Sequence, residues 1–486
     1  MQNLYFEVST LDRRSVENFA LSEELMMEHA AIAIERSIRD RYDPGSSILI
    51  VCGSGNNGAD GLTLARLLEG DYPLTLHLPF GASSPLCRLQ RERLEKLGIQ
   101  NETPGEHYDV IVDALFGSGL SRPLGPGAID LLDSLNTMNG YKIACDVPSG
   151  LYPDGTADSH VFYADLTVTM GGLKRSLFSD TAKEIAGEIT VADLGIHRKR
   201  YELPSPWQLL EKSDLRLPVR TRISTHKGSY GHLAVVCGEK TGASVIAGSA
   251  ALRFGTGLVS LISNENVSLP YDLMQSHSLP ETTTAIALGM GLGVEFCDDE
   301  LTHLLDNSHP LVLDADIFYH PMFPKLLDKK EIILTPHPKE FTQILRVCAL
   351  ADIDVATLQN NRFSYAQRFC AAYPDTVLVL KGANVIIGRN DRFFINPHGT
   401  VALAKGGSGD VLSGLIGALL AQGGDVLDAA IQASLAHTLG AQRWDRHNYA
   451  LTPFDLIDTI SALCLEQNSR HHRTRQGSAE ISKGVQ

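Results

Sequence analysis

The sequence predicts an α/β protein of two domains, each built on a sheet with helices on both faces. Three observations predict it. The chain has 486 residues, long for a single domain when domains run to roughly 100–200 residues. Short apolar runs without strong in/out alternation are separated by helical stretches, the pattern of parallel strands buried on both faces. A segment rich in proline and charge, 197–222 (HRKRYELPSPWQLLEKSDLRLPVRTR), breaks that rhythm and divides the chain unequally. The expected bounds are a first domain over 1–205, a linker over 206–222, a second domain over 223–468 and a polar, basic tail over 469–486.

Residues 12–41 read as one long helix, with Val16, Phe19, Leu25, Ile32 and Ile34 spaced among charged residues. SILIVC (47–52) is a strand, followed by a helix from about Asp60, the strand LTLHL and a charged helix around Arg88–Leu97. YDVIVDAL, a helix near Ile129–Leu135, YKIACDV, ADLTVTM and EITVADL complete the first sheet. After the interruption the pattern restarts with HLAVVCG, the small-residue helix GASVIAGSAALRFG, GLVSLIS, TTTAIALG, PLVLDAD and EIILTPH. A helical stretch over 352–372, three strands (VLVLKG, NVIIG, RFFIN) and helices from Ser408 onward follow.

Composition narrows the function classes. With 43% hydrophobic and 20% charged residues the chain can bury real cores. Its 42 basic and 57 acidic residues leave a net charge of −15, which argues against a general nucleic-acid binder because that affinity rests on clustered Lys and Arg. A nucleotide needs only one local anion site and stays open. The eight cysteines (Cys52, Cys87, Cys145, Cys237, Cys297, Cys348, Cys370, Cys464) form no CxxC pair and suit a reducing compartment. The first thirty residues lack the apolar core of a signal peptide. The uncharged stretch Val411–Gly424 is too short to span a bilayer. A cytoplasmic protein without membrane or nucleic-acid partners is expected.

The residues that carry chemistry sit where strands end, the place where open α/β sheets bind ligands. GSGNNGADGLTLARLL (53–68) follows an apolar strand and opens a helix, a setting in which backbone N–H groups and a helix N-terminus meet phosphate. It fits GxGxxG but adds two Asn and Asp60, and it lacks the GK[ST] of a P-loop. The glycines alone read as a tight turn. The Asn pair and Asp60 favour ribose hydroxyls and a monovalent cation. VDALFGSGLSRPLGPG (112–127) puts Asp113 at a second strand end, and CDVPSGLYPDG (145–155) puts Asp146 and Ser149 at a third. In the second domain GGSGD (406–410) opens an apolar helix, so amides of Gly406 to Gly409 form an anion hole with the helix dipole behind it and Asp410 in the first turn. Ser408 or Asp410 could instead cap that helix. His337, between prolines in TPHPKE, reads equally as a turn histidine, and Asp314 and Asp316 in LVLDAD as metal ligands or as strand-end caps.

GSGNNGADG, DALFGSGL, DVPSG and GGLKRSLF resemble the N-terminal epimerase domain of bacterial NAD(P)H-hydrate repair enzymes over roughly residues 10–200. The resemblance implies a Rossmann-like α/β/α sandwich. It implies that Asn56, Asn57, Gly58, Ala59 and Asp60, the run Gly117, Ser118, Gly119, Leu120, Ser121, Arg122 and Pro123, and Asp146 contact the hydrated dinucleotide. It also implies that Asn57, Asp113 and Ser149 hold potassium, an oxygen set suited to a hard cation. Ala59 departs from the usual second Gly of NNGGDG, which is costly where φ is positive.

HKGSYGHLAVVCG, GASVIAGSAALRFGTGLV, IALGMGLG, LVLDAD, ILTPHPKEF, VLVLKGANVII and the GGSGD turn resemble, in order, the ribokinase-like, ADP-dependent NAD(P)H-hydrate dehydratase over roughly residues 220–465. The resemblance implies that Lys381, Gly382, Ala383, Asn384 and Val385, with Gly409, bind ADP. Gly291, His337 and Asp410 then face the hydrated nicotinamide. Met290 stands where the family usually has Pro, and Lys405 stands beside the anion hole where a small residue is common.

Together the resemblances imply repair of NADH or NADPH carrying water across C5–C6. Asp410 is the implied base for phosphoryl transfer from ADP to the C6 hydroxyl of the S form. Asp146 is the implied acid/base of R/S epimerisation. ADP, potassium and Mg2+ are the expected co-substrate and ions, in a homo-oligomer whose partners are small molecules. The alternative is a ribokinase-like kinase for a vitamin-type alcohol, fused to a nucleotide-binding or scaffold domain.

Overall fold

The computed structural model describes residues 1–293, 296, 301–302 and 308–463. The expected tail over 469–486, the last residues of the expected second domain, Cys297 and Cys464 lie outside them. The chain separates into two compact units, with the division between Gln208 and Leu209.

In the first unit six parallel strands run in the order Leu74–His77, Ile48–Cys52, His107–Ala114, Asn139–Cys145, Leu166–Met170 and Glu188–Ala192. Side chains alternate across the sheet, and both faces are apolar. Ile48, Ile50, Cys52, Val110 and Val112 pack with the helices Glu23–Arg39, Asn56–Leu68 and Pro85–Lys96. Leu49, Val51, Ile111 and Ala144 face the opposite way, onto the helix Pro126–Thr137.

Two expectations are corrected here. The helix expected over 12–41 is two helices, Ser9–Phe19 and Glu23–Arg39. Ala20 turns the chain through the left-handed region (φ 55°), and Ser22 caps the second helix by accepting from the Leu25 amide at 3.2 Å. Ser22 followed by two Glu was the available start signal. The helix expected from Asp60 begins at Asn56, so Ala59 lies fully buried in its first turn, outside the positive-φ set. The departure from glycine there carries no backbone strain.

In the second unit the strands run Met274–Ser276, Leu258–Ile262, His232–Val236, Ala285–Leu288, Leu311–Leu313, Ile332–Leu334, Val377–Leu380, Val385–Arg389 and Arg392–Asn396. The first seven are parallel, and the last two turn back as antiparallel hairpins. Helices Thr241–Arg253, Ser408–Ala421 and Val426–Gln442 pack on the face of Leu233, Val235, Val312 and Ile333. Helices Pro338–Val347 and Arg362–Ala372 contribute Phe341 and Phe369, both fully buried, with ring centres 5.8 Å apart. The single helical stretch expected over 352–372 is two helices, Val355–Asn360 and Arg362–Ala372, meeting at Asn361.

The segment 206–222 is not a free linker. Leu210 and Leu215 are buried in the core of the second unit, and the Arg216 amide donates to Gln432 Oε1 at 2.6 Å. Prolines and charges marked a break in secondary structure, which is a different property from lack of packing.

Candidate active sites

In the first unit the turn after Ile48–Cys52 is shaped by packing. A Cβ on Gly58 would overlap the Gly53 carbonyl, and one on Gly53 would overlap the Leu115 carbonyl. A Cβ on Gly61 would stand 2.7 Å from Ala114 Cβ and Cys52 Sγ. These glycines let helix and strand approach. Gly55, at the helix N-cap, faces open space.

Three strand-end loops interlock above that turn. Asp146 sits at φ 72°, a conformation non-glycine residues seldom adopt and one that clusters at functional sites. Its Oδ2 accepts from the Ser118 amide at 2.9 Å, and its Oδ1 from Lys174 Nζ at 2.5 Å and the Met170 amide at 3.3 Å. Lys174 is fully buried and also donates to the Met170 carbonyl at 2.6 Å. Burial works against ionisation of Asp146, but the Lys174 charge and the Ser118 hydrogen bonds outweigh it and hold the carboxyl below its ordinary range. Asp60, one turn into the helix Asn56–Leu68, is the opposite case. Burial, with Asp146 and Asp12 nearby, pushes its carboxyl well above the ordinary range. Asp12 is raised in the same way, although Tyr201 Oη donates to it at 2.7 Å. Asp60, Asp12, Asn56, Met26, Met27 and Met170 line a pocket of about 460 Å³.

Asp113 is fully buried, and its partners are neutral: the Ser149 amide at 2.8 Å, Ser149 Oγ at 2.7 Å and the Leu115 amide at 3.1 Å. Burial pushes its carboxyl to about 6. Asn57 Nδ2 is buried with no hydrogen-bond partner, and Asn57 Oδ1 lies 3.2 Å from where a Cβ of Gly117 would stand. Amide O and N are assigned from such networks. Turned over, Asn57 presents an unpaired oxygen, so a buried carboxylate and an orphaned amide fit an alkali cation. Asn57, Gly117, Ser118, Asp146, Asp113 and Ser149 are thus brought together, while Ser121, Arg122 and Pro123 are exposed.

In the second unit Gly407 (φ 89°) begins the helix Ser408–Ala421 without a side-chain cap. Neither Ser408 nor Asp410 caps it. Pro453 packs where a Cβ of Gly407 would be, and Gly406 faces open space. Asp410 is part-buried, and burial together with Asp314 raises its carboxyl to about 6. Lys381 Nζ donates to Asp314 Oδ1 at 2.8 Å and lies 3.8 Å from Glu340 Oε2. Asp314 Oδ2 accepts from Ser413 Oγ at 2.8 Å. The Lys381 amide donates to the Pro336 carbonyl at 2.9 Å, tying the KGANV turn to the TPHP loop. Buried Arg362 donates to the carbonyls of Leu380 and Lys381, its guanidinium filling the space beside Gly382.

His337 takes the turn role left open by its sequence. It caps the helix Pro338–Val347, its Nδ1 accepting from the Lys339 amide at 3.1 Å while Nε2 meets Glu340 Oε1 at 3.1 Å. Gly291 (φ 63°) lies in the turn packed against the Asp314 backbone and Lys240. Lys405 does not add a charge to the anion hole: its Nζ donates to the Tyr449 carbonyl at 2.6 Å. Met290 is fully buried in the core.

Lys174, Glu340, Ser413 and His437 were not selected from the sequence, and Asp314 was read there only as a metal ligand or strand-end cap. A lysine closing an apolar run (MGGLK) and an Asp closing LVL were usable signals. His437, buried and hydrogen-bonded to the Ser408 carbonyl at 2.9 Å, had none within its apolar helix. Burial lowers its imidazole to about 4, so it is neutral.

The family model of NAD(P)H-hydrate dehydratase matches residues 233–462, and that of the YjeF-related protein N-terminus matches residues 23–176. A bifunctional NAD(P)H-hydrate repair enzyme from Helicobacter pylori is 43% identical over 474 residues, covering 95% of this chain and 100% of the relative. One from Coxiella burnetii is 32% identical, covering 90% and 93%. A crystal structure of an ADP/ATP-dependent NAD(P)H-hydrate dehydratase from Bacillus subtilis, co-crystallised with ATP and Mg2+, is 30% identical with a TM-score of 0.44, covering 51% of this chain and 93% of that one.

Proposed function

The chain belongs to the family of bifunctional NAD(P)H-hydrate repair enzymes, and from that premise we propose how its residues divide the work. It repairs hydrated NADH and NADPH: the first unit interconverts R and S hydrates, and the second dehydrates the S form at the expense of ADP. The observation that carries this division is that each unit ends its parallel strands in a carboxylate site of its own, Asp146 with Lys174 in one and Asp410 beside Lys381 in the other.

In the second unit Asp410 removes the C6 hydroxyl proton as the phosphoryl group of ADP passes to that oxygen. A carboxyl raised to about 6 is a stronger base than an ordinary Asp and still ionised at neutral pH. The amides of Gly407 and Gly409 and the Lys381 ammonium face the charge that develops on the phosphoryl oxygens, the Ser408 amide between them donating to the Lys405 carbonyl at 3.2 Å. Phosphate then leaves C6 as the ring nitrogen pushes electrons in, and loss of the C5 proton restores the dihydronicotinamide with AMP and phosphate as products. Lys381, Gly382, Ala383, Asn384, Val385 and Gly409 hold ADP, while Gly291 and His337 border the nicotinamide. Among the described residues no three Asp, Glu, His or Cys side chains are grouped to hold a metal, so Mg2+ would arrive with the nucleotide phosphates.

In the first unit two carboxyls of opposite disposition suit an epimerisation through loss and return of the C6 hydroxyl. Asp146, held ionised by Lys174, is the base. Asp60, whose carboxyl burial pushes well above its ordinary range, is the acid. Asn56, Asn57, Asp60 and the 117–123 loop contact the dinucleotide, while Gly58 and Ala59, buried in the first helical turn, lie behind them. Asn57, Asp113 and Ser149 hold potassium, which neutralises Asp113 and joins three loops.

No helix among the described residues is long and apolar enough to cross a membrane, and a cytoplasmic site of action fits the substrate. Incubating racemic hydrate with ADP and potassium tests the reading. Full recovery of dihydronicotinamide absorbance, with AMP and phosphate formed in step, is expected. A stable phosphorylated product would overturn it.

A further inference from the structure

Asp314 is nearly inaccessible, with 2% of its side chain exposed, yet both its oxygens are used. Oδ1 accepts from Lys381 Nζ at 2.8 Å and from the Ala315 amide at 2.9 Å, and Oδ2 accepts from Ser413 Oγ at 2.8 Å. Ala315 follows in a left-handed conformation (φ 53°), and Gly289 can adjoin the Asp314 carbonyl only because it lacks a Cβ. The carboxylate is therefore fixed from backbone and side chains together. Above it lies the GGSGD turn. A Cβ on Gly409 would stand 3.4 Å from Lys381 Nζ and 3.7 Å from Asp314 Oδ2, so the ion pair lies directly against the third glycine of that turn.

We propose that Asp314 is a positioning residue of the dehydration: it holds the Lys381 ammonium under Gly409, where it faces the transferring phosphoryl group, and keeps it off the neighbouring base, Asp410. The inference rests on the reading of the second unit as an ADP-dependent dehydratase.

The argument is one of competing partners. Lys381 is a flexible cation beside three carboxylates, Asp314, Glu340 and Asp410, and an ammonium is a mobile point charge that pairs with the best-placed anion. Paired with Asp410 it would stabilise the ionised base and weaken it as a proton acceptor. Asp314 prevents this because its two other donors, the Ala315 amide and Ser413, hold it ready to receive the ammonium. Glu340 supports the arrangement at 3.8 Å. The charged or titratable groups around Asp410 are Asp314 and Asp316 from the turn after Leu311–Leu313, Lys381 from the end of Val377–Leu380, Glu340 from the helix Pro338–Val347, and neutral His437 beneath Ser408. Removing the Asp314 charge shifts that balance in one direction, towards Lys381–Asp410 pairing.

The test compares Asp314→Asn, Lys381→Met and the double variant in the full chain, using pure S hydrate and ADP. Asp314→Asn should lower kcat at least tenfold, change the KM for hydrate less than threefold, and move the acid limb of the pH profile to lower pH. Adding Lys381→Met should move that limb back up, since the ammonium that captured Asp410 is gone. An unmoved limb in folded Asp314→Asn, or no return in the double variant, overturns the proposal. Where Asp314→Asn does not fold, the double variant, which carries no unpaired buried charge, still decides. The proposal requires at least a tenfold loss of kcat with the limb near its wild-type position, and wild-type kcat refutes it. Failure of wild type itself to restore dihydronicotinamide would instead overturn the reading of the unit.

Discussion

The Lys174 ammonium lies 2.5 Å from the Asp146 carboxylate, with the lysine side chain wholly inaccessible and the aspartate 10% exposed. An ion pair so buried gives little net stability, but removing one partner strands the other. Its contribution is to hold a carboxylate ionised at a backbone position, φ 72°, that only surrounding structure can impose.

Lys174→Met should therefore abolish epimerisation and cost roughly 3–5 kcal/mol of the first unit's stability, while dehydration of pure S hydrate persists. Thermal melts of the full chain and separate assays of each activity check this. Epimerisation within threefold of wild type would remove Lys174 from the site.

Asp60→Asn keeps the size and hydrogen-bonding capacity of a protonated carboxyl but cannot give up a proton. It should fold like wild type and lose epimerisation by about 10²–10⁴-fold, the usual contribution of a positioned acid. In wild type the acid form is lost as pH rises through its raised pKa, so epimerisation should fall on the alkaline side. A flat alkaline limb would assign the proton elsewhere.

How much of this was legible in sequence depended on whether a residue's task is local. Strands such as Ile48–Cys52 and Val377–Leu380 are continuous apolar runs, and their burial on both faces followed directly. GGSGD and NNGADG were visible because a turn and a helix start lie within a few residues of each other. Lys174 and Ser413 escaped, and the ion-pair role of Asp314 stayed hidden, because what defines them is a partner 28, 99 or 67 positions away. The break at Ala20 escaped because an alanine in the left-handed region leaves no signal of its own, although Ser22 and the two Glu after it mark the next helix start.

The same distinction governs two neighbouring substitutions. Gly58→Ala puts a methyl into the Gly53 carbonyl and should cost at least the 1–3 kcal/mol typical of overpacking. Ala59→Gly, which restores the commoner family residue, should lower stability by about 1 kcal/mol through helix propensity alone and leave epimerisation intact. Melting temperatures of the two variants check both. A stabilised Ala59→Gly would mean that position strains the turn.

Asp410→Asn should reduce dehydration at least a hundredfold, with ADP binding retained. In wild type kcat/KM should fall as pH drops through about 6, where the base takes up its proton. Stability runs the other way. A carboxyl whose folded pKa is raised stabilises the fold below its unfolded pKa, and that contribution is lost as pH rises through about 6. At pH 7 the inactive variant should melt no lower than wild type. Residual activity within tenfold would sink the assignment of the base.

Potassium provides the last test, because Asp113 has only neutral donors around it and Asn57 Nδ2 has none of its hydrogen bonds made. A buried carboxylate without a counter-charge is costly, and a cation shared with Asn57 and Ser149 offsets that cost while joining three loops. Stabilisation follows mass action, about 2.7 kcal/mol at a hundredfold excess over Kd. Full-chain melts in potassium should show one transition raised relative to a bulky organic cation at equal ionic strength, and epimerisation should require the small ion. Asp113→Ala should remove both effects and leave dehydration of pure S hydrate unchanged, since that chemistry belongs to the other unit. Superimposable melts in the two cations would leave Asp113 as a strand-end turn residue, its carboxyl raised by burial to about 6 and held by Ser149.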